Sequence, residues 1–370
     1  MMSSQSSADP SPPYSAHGVR TITGDGAAED VTVSMRYHGR LFVIDISVSN
    51  FLNSPNATKE YLRYIEPILP DNDGEYDGIT ETDTFEWVAN IFDPIFSQLA
   101  PECKASFDPV KIENGSSKPL LSEYLFPETF GCRLGAKDEE FIPVHVDNYG
   151  SLVTPRSFLG CDLLDELETW TRFFEPSELE VVFHRPKQAL YLTPELVLAD
   201  LDKSGNKTLC FFKGYGLTSE IPITRELTVH KKLHDAKLGP EVRVSQLQGI
   251  VHMQDEDATL GLLLSLVDHE EGMTLQSALY DNPPQHLRER WAKQVSHTVE
   301  ELHRVGAVWG DAKTDNILID KDSNAWVIDF EGGYTKGWVD KDKAGTEEGD
   351  LQGLGKIPDW IESSTPLPSN

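Results

Sequence analysis

Basic residues are scarce in this chain: 32 Lys and Arg stand against 61 Asp and Glu, a formal net charge of −29. Such a surface repels nucleic acid and anionic membrane, which argues against either as a main partner, and it favours solvation. Long hydrophobic runs are missing too. The longest strongly apolar stretch, Leu260 to Val267, is far too short to cross a bilayer. Cysteine is sparse and scattered: Cys103, Cys132, Cys161 and Cys210 form no Cys-x-x-Cys pair, which speaks against zinc and for reduced intracellular thiols. The first residues, MMSSQSSADPSPPYSAHG, lack the apolar centre of a targeting helix and are rich in Ser and Pro, so residues 1–28 are expected to be a disordered tail. The expected location is intracellular, cytoplasmic or nuclear, and the sequons at Asn56, Asn114 and Asn206 then carry no sugar.

What is present exceeds one average domain. At 370 residues the chain can bury at least two cores. Two alternating runs, DVTVSMRY and LFVIDISV, flank His38-Gly39-Arg40 and predict a hairpin over Val31 to Val48. Ser54-Pro55-Asn56 offers start chemistry for a helix from about Ala57, with Tyr61, Leu62, Ile65 and Leu69 on one face. Residues 71–81 are acidic with two glycines and read as an exposed loop. Asp83-x-x-Glu86 has the form of a capping box ahead of Val88, Ile91, Phe92, Ile95, Phe96 and Leu99, with Pro94 expected to kink or split that helix. Leu120 to Phe130 is apolar without a decided type, and Leu163 to Phe174 reads as a helix. His38 and His145 have the setting of ordinary structural histidines, and the aromatics Phe85, Trp87, Phe92 and Phe96 that of core. Residues 29–175 are therefore expected to form an α+β domain whose role the sequence does not reveal.

From Glu178 the texture changes to short β-type runs, LEVVFH, ALYL, LVLADLD and TLCFFKGYG, divided by Arg185-Pro186, Thr193-Pro194 and Ser204-Gly205-Asn206. A helix is expected from Thr224, strands over Val242 to Met253 and Thr259 to Val267, and an amphipathic helix from Leu287 to His303 carrying Trp291, Val295, Thr298, Val299 and Leu302.

The most informative stretch is Leu302 to Gly332, LHRVGAVWGDAKTDNILIDKDSNAWVIDFEG. It sets Asp311-x-Lys313-x-x-Asn316 after an amphipathic helix, adds two β-type runs, Ile317 to Ile319 and Ala325 to Ile328, and closes on Asp329-Phe330-Glu331-Gly332. Phosphoryl transfer asks a protein for positioning and charge neutralisation, hence a carboxylate facing the attacking hydroxyl and oxygen ligands for a metal. Asp311 suits the first task; Asn316 and Asp329 suit the second, because Mg²⁺ takes few protein oxygens and leaves its other positions to water and phosphate.

These residues resemble the protein-kinase-like superfamily. Leu302-His303-x-x-Gly306-x-Val308-x-x-Asp311 is similar to the approach to a kinase catalytic loop, Asp311-x-Lys313-x-x-Asn316 to the loop, and Val327-Ile328-Asp329-Phe330 to the metal-binding segment. The longer run WGDAKTDNILID…NAWVIDFEGGYTKGWVD resembles a group of fungal kinase-like proteins. The resemblance implies an antiparallel β small lobe over residues 176–267 and a mainly α large lobe over 268–370, preceded by the α+β domain. It implies ATP and Mg²⁺, with Asp311 and Lys313 catalytic and Asn316 and Asp329 on the metal. Lys213 would bind the α/β-phosphates and pair with Glu226. Ser265, Leu266, Val267 and Asp268 would face adenine as the hinge, and Asp350, in Gly349-Asp350-Leu351-Gln352-Gly353, would brace the catalytic loop.

Four departures stand out. No Gly-x-Gly-x-x-Gly loop is present, and Val182 to Leu192 holds no glycine to cradle phosphate. Trp309-Gly310 replaces the usual His-Arg, which removes the partner of an activation-loop phosphate. Glu331 replaces a glycine, so that Asp-Phe-Glu is similar to the choline/ethanolamine-kinase and aminoglycoside-phosphotransferase branch. The large lobe also looks truncated, with no Ala-Pro-Glu before Asp350. The expected function is γ-phosphate transfer from ATP to a hydroxyl, foremost Ser or Thr of a protein. The alternatives are a small-molecule kinase of the choline or aminoglycoside type and a catalytically weak module that binds nucleotide or partners, with the N-terminal domain as a possible protein-binding site.

Overall fold

The structure is a computed structural model, which describes residues 14–21, 30–69, 75–147, 159–186, 189, 194–215 and 220–362. The chain forms a mixed α+β protein of two compact units. One comprises Met1–Thr154 and Ser177–Glu195, the other Pro155–Pro176 and Leu196–Asn370.

The first unit is built on a five-stranded sheet, in the order β1 (Tyr14–Thr21), β2 (Val31–Tyr37), β3 (Arg40–Leu52), β4 (Thr129–Lys137), β5 (Glu140–Val146). Strand β1 lies inside the segment expected to be a disordered tail. Its backbone instead completes a ladder along β2, with Tyr14 opposite Tyr37 and Thr21 opposite Val31, because an exposed strand edge offers unpaired donors and acceptors to any adjacent extended chain. The rest of that tail lies outside the described residues. The hairpin β2–β3 turns on His38-Gly39, both at positive φ (51° and 77°), the two-residue connection whose twist matches the strands. Its register sets Val31, Val33 and Met35 opposite Ile46, Ile44 and Phe42, so one face of the pair is wholly apolar and buried.

Strands β3 and β4 run parallel, and the connection between them carries α1 (Pro55–Ile65) and α2 (Glu81–Leu99). Tyr61 and Ile65 of α1 and Val88, Phe92, Ile95 and Phe96 of α2 close the core over the sheet. The aromatics lie there as expected, with Trp87 stacked on Tyr64 at 5.0 Å between ring centroids. The start of α1 is capped from a distance: the Glu139 carboxylate accepts from the amides of Asn56 and Ala57 at 2.9 and 3.0 Å. Helix α2 begins one turn earlier than the sequence pattern predicted. Thr80, not Asp83, is its N-cap: the Asp83 amide donates to Thr80 Oγ1, and the Thr80 amide donates to Asp83 Oδ2 at 2.8 Å. The acidic loop ahead of it ends in a small hairpin, Glu75–Tyr76 with Ile79–Thr80, whose extended Thr80 delivers the chain to the helix; residues 71–74 lie outside the described residues. Pro94 does not split α2. It sits on the solvent face, as does Asn90, whose carbonyl it leaves without a helical partner and which water can therefore satisfy.

In the second unit, the stretch Leu163 to Phe174 is a helix only in its first half, α3 (Cys161–Glu168); the rest turns into strand β6 (Phe173–Phe174). Phe173 and Phe174 pair in parallel with Ile250 and Val251, a tertiary contact that overrides the local helical pattern. The sheet continues β9 (Leu247–Met253), β10 (Ala258–Ser265), β8 (Thr208–Gly214) and β7 (Leu196–Ala199). Residues Ala258 to Leu264 of β10 are all buried, as befits a central strand of continuous apolar sequence. Of the stretch Val182 to Leu192, where a glycine-rich loop was missing, residues 187–188 and 190–192 lie outside the described residues, as do 216–219.

Helix α4 (Glu220–Ala236) starts before Thr224, so Glu226 falls in its second turn rather than its first. Then follow β11 (His269–Thr274), α5 (Leu275–Tyr280), α6 (Gln285–Arg304), the hairpin β12 (Ile317–Asp320) and β13 (Ala325–Val327), and α7 (Glu347–Glu362). Trp291, Val295, Val299 and Leu302 of α6 share one buried cluster with Val229 and Leu233 of α4, Trp309, Ile317, Val327, Phe330 and Ile357. That cluster fixes the loops between α6, β12, β13 and α7, where the chemistry-bearing residues lie.

Candidate active site

Lys213 is one residue from the end of β8, opposite Leu262 in the register of β10. Strand alternation sends its side chain to the face that α4 covers. There its ammonium meets Glu226 Oε2 at 2.6 Å, Asp329 Oδ1 at 2.8 Å and Glu331 Oε1 at 2.9 Å. Three carboxylates from two segments thus converge on one cation. Burial works to lower the Lys213 pKa, but Glu226, Asp329 and Glu331 outweigh it and hold the ammonium above its usual range. Burial likewise works to raise Glu226, and contacts with His230 and Lys213 more than offset this, holding it at about 2. Tyr215, two residues beyond Lys213, donates its hydroxyl to Glu226 Oε2 at 2.6 Å; burial and the Glu226 charge push the phenol well above its ordinary value.

Asp329 follows β13 and adopts φ +65°, a left-handed conformation tolerated best by Asp, Asn and Gly. That turn aims its carboxylate at Lys213 while Phe330 enters the core. Asn316 is held beside this segment by its carbonyl, which accepts from the Ile328 amide at 3.1 Å.

The loop from Asp311 to Asn316 is bonded internally. Lys313 Nζ donates to Asp311 Oδ2 at 2.6 Å and to Thr335 Oγ1 at 3.0 Å, and Thr335 donates to Asp311 Oδ1 at 3.1 Å. Asn316 Nδ2 donates to the Asp311 carbonyl at 3.0 Å. Behind the loop, Asp350 of α7 accepts from the amides of Trp309 and Gly310, both at 2.7 Å, and lies 2.9 Å from His303 Nε2. Asp350 is 1 % exposed; burial raises its carboxyl, against the His303 ring and the two amides. In geometry this is a brace on the residues that lead into Asp311.

Ser265 to Asp268, the expected hinge, is partly engaged by other contacts. The Val267 carbonyl lies 2.8 Å from His269 Nδ1, the Asp268 carbonyl accepts from the Lys321 amide at 2.9 Å, and Ser265 Oγ accepts from the Gln246 amide at 2.8 Å. Leu266 is half-buried between them.

For a divalent cation, Glu226, Asp329 and Glu331 offer carboxylate oxygens within 4.8 Å of one another, and the Lys213 ammonium already occupies their focus as a cation would. Glu226 is committed to Lys213 and Tyr215, so the hard oxygens that fit Mg²⁺ are those of Asp329, beside the Ile328 amide that holds Asn316. Of the residues singled out from sequence, Lys213, Glu226 and Asp329 come together, and Asp311, Lys313 and Asn316 form one loop backed by Asp350. Sequence reasoning missed Tyr215, Thr335 and the direct partnership of Glu331 with Lys213. Only Tyr215 left a signal: residues two apart along an extended chain share a face.

Residues 216–360 match the profile of the lipopolysaccharide kinase (Kdo/WaaP) family, part of the protein-kinase-like superfamily. The match covers less than half of the chain; it begins just after Lys213 and contains Glu226, Asp311, Lys313, Asn316, Asp329 and Asp350. No curated protein matches the chain. Among the described residues no helix is long and apolar enough to cross a membrane. The matched part of the chain is of the kinase type, a phosphotransferase with a hydroxyl acceptor.

Proposed function

We propose that this protein transfers the γ-phosphate of ATP, with Mg²⁺, to a hydroxyl of a small, sugar-like molecule. The observation that carries the proposal is the Lys213 ammonium held between Glu226 and Asp329, 2.6 and 2.8 Å away. That bridge leaves a charged group poised to exchange a carboxylate for a phosphate oxygen. Asp311 would orient or deprotonate the acceptor hydroxyl, and Lys313 would offset charge developing on the transferred group. Asn316 and Asp329 would hold Mg²⁺, which when bound neutralises phosphate charge. Glu226 positions Lys213, Asp350 braces the loop, and Ser265 to Asp268 would face adenine.

Two observations favour a small acceptor over the protein Ser/Thr first expected from the sequence. The matching family is one of lipopolysaccharide kinases, and Glu331 gives this site the Asp-Phe-Glu of small-molecule kinases. A protein acceptor remains the second reading, favoured by Lys313 in the catalytic loop. Incubation with terminally labelled ATP and a panel of sugars and amino alcohols tests the proposal, with label expected in a small-molecule product. Label confined to protein bands would establish the second reading. Magnesium-dependent binding of ATP without any transfer would make the site a non-catalytic module.

A further inference from the structure

Three glycines at positive φ, Gly310 (92°), Gly332 (75°) and Gly345 (74°), surround one side chain. A Cβ at Gly310 would fall 2.5 Å from Arg225 Nη2, one at Gly332 would fall 2.6 Å from Nη1, and one at Gly345 would collide with Nη1 as well. The Arg225 guanidinium therefore lies against bare backbone from three separate segments: the residue before Asp311, the residue after Asp329-Phe330-Glu331, and the approach to α7. It also donates from Nη2 to the Gly345 carbonyl at 2.8 Å. Arg225 precedes Glu226 on α4, so the helix that fixes Lys213 is the one that reaches these three backbones.

We infer that Arg225 is a positioning residue: its guanidinium sets α4, and through Glu226 the phosphate-binding Lys213, in register with the catalytic and metal-binding loops, without help from a phosphorylated segment. The inference deepens the kinase reading and rests on it. A guanidinium suits the task because it is flat, weakly hydrated and permanently charged, and so can slide between peptide planes where an ammonium would need a hydration shell. The position has a logic in the sequence, since Gly310 stands where the arginine adjoining a kinase's catalytic Asp would be; here the arginine comes from α4 instead. The rest of α4 is fastened in the same direction. Lys232 Nζ donates to the Gly306 carbonyl, the His230 ring meets Phe330 edge-on at 5.7 Å, and Val229 and Leu233 lie in the cluster of Leu302 and Trp309.

The test is a cycle of Arg225→Ala, Gly345→Ala and the double variant, with Arg225→Lys alongside, all in the full chain. Each variant is measured for thermal melting and for KM and kcat toward MgATP. Arg225→Ala and Arg225→Lys should each raise KM for ATP about tenfold, while a mere loss of folded protein would lower kcat and leave KM unchanged. Gly345→Ala should be as damaging alone, yet add less than about threefold once Arg225 is gone, because backbone strain is common to both backgrounds and only the clash disappears. Unchanged KM in the Arg225 variants, rescue by Lys, or simple additivity of Arg225→Ala and Gly345→Ala would overturn the inference. Should the native chain neither bind nor turn over ATP, the kinase reading falls. The inference falls with it; where the native chain does bind MgATP, unchanged KM in the Arg225 variants overturns the inference alone and leaves the kinase reading standing.

Discussion

The Trp309 indole N–H donates to the Ile328 carbonyl at 2.9 Å, tying the residue two places before Asp311 to the residue just before Asp329. The Asp311 loop and the Asp329 segment therefore share a partly buried hydrogen bond as well as a core, and the spacing of the two carboxylates depends on one fully buried side chain.

Trp309→Phe should for that reason disturb both stability and geometry. The smaller ring leaves a cavity and an unsatisfied Ile328 carbonyl, at a cost of about 2–4 kcal/mol. Urea unfolding measures the loss; a variant within half a kilocalorie of the native protein would contradict it.

Asp311 and Asp329 should separate chemistry from binding. Asp311→Ala is expected to abolish transfer while MgATP still binds, because Asp311 pairs with Lys313 and Thr335 and not with the Lys213 cluster. Asp329→Ala should weaken MgATP binding itself. Calorimetric titration of both variants checks this, and equal loss of binding in the two would refute the division.

Asp350→Asn preserves shape but not pattern. Each carboxylate oxygen accepts a backbone amide, Oδ2 from Trp309 and Oδ1 from Gly310. An Asn must turn its NH₂ toward one of them, opposing donor to donor. A destabilisation of about 1–3 kcal/mol is expected, with turnover falling more steeply than nucleotide affinity. Unfolding and steady-state kinetics on the same sample test both parts.

Glu226 should add an acid-labile contribution to stability. Its pKa is depressed to about 2 in the folded protein, below the ordinary value of 4.5, so the folded state favours its charged form. The contribution is complete above the unfolded pKa and is lost as pH falls from about 4.5 toward 2, on the order of 3 kcal/mol in all. Glu226→Gln lacks this dependence. The difference in unfolding free energy between native and variant should shrink between pH 6 and pH 3; a constant difference would count against the Lys213–Glu226 pair as the cause.

Legibility in the sequence followed sequence distance. Asp311, Lys313 and Asn316 could be read because they lie within one short loop, and Asp329 because a hairpin of β-type residues bridges to it. Thr335 is 24 residues from its partner Asp311, and Arg225 is 120 residues from Gly345, in segments with no pattern of their own. Such contacts follow from the packing of the shared core. Element ends failed for similar reasons. Phe173 and Phe174 joined a sheet through Ile250 and Val251, and α2 took its cap from the end of a two-residue strand pairing. In the first unit, the periodicity of Val31, Val33, Met35 and of Val88, Phe92, Phe96 was sufficient to locate the core.

The second unit takes in Pro155–Pro176 and resumes at Leu196, the chain between belonging to the first unit. Leu159 and Leu167 are buried among Tyr215, Ile223, Leu262 and Leu264, the apolar surroundings of the strand and helix that carry Lys213 and Glu226. A fragment starting at residue 196 would keep every residue of the proposed chemistry and lack part of the floor beneath it. Its sheet would also expose the flank of β9 that Phe173 and Phe174 now cover, inviting edge-to-edge association. The two units are interleaved along the chain, so neither can be synthesised as one uninterrupted stretch. The sheet that carries Lys213 therefore draws on residues made well before it, across the intervening stretch of the first unit.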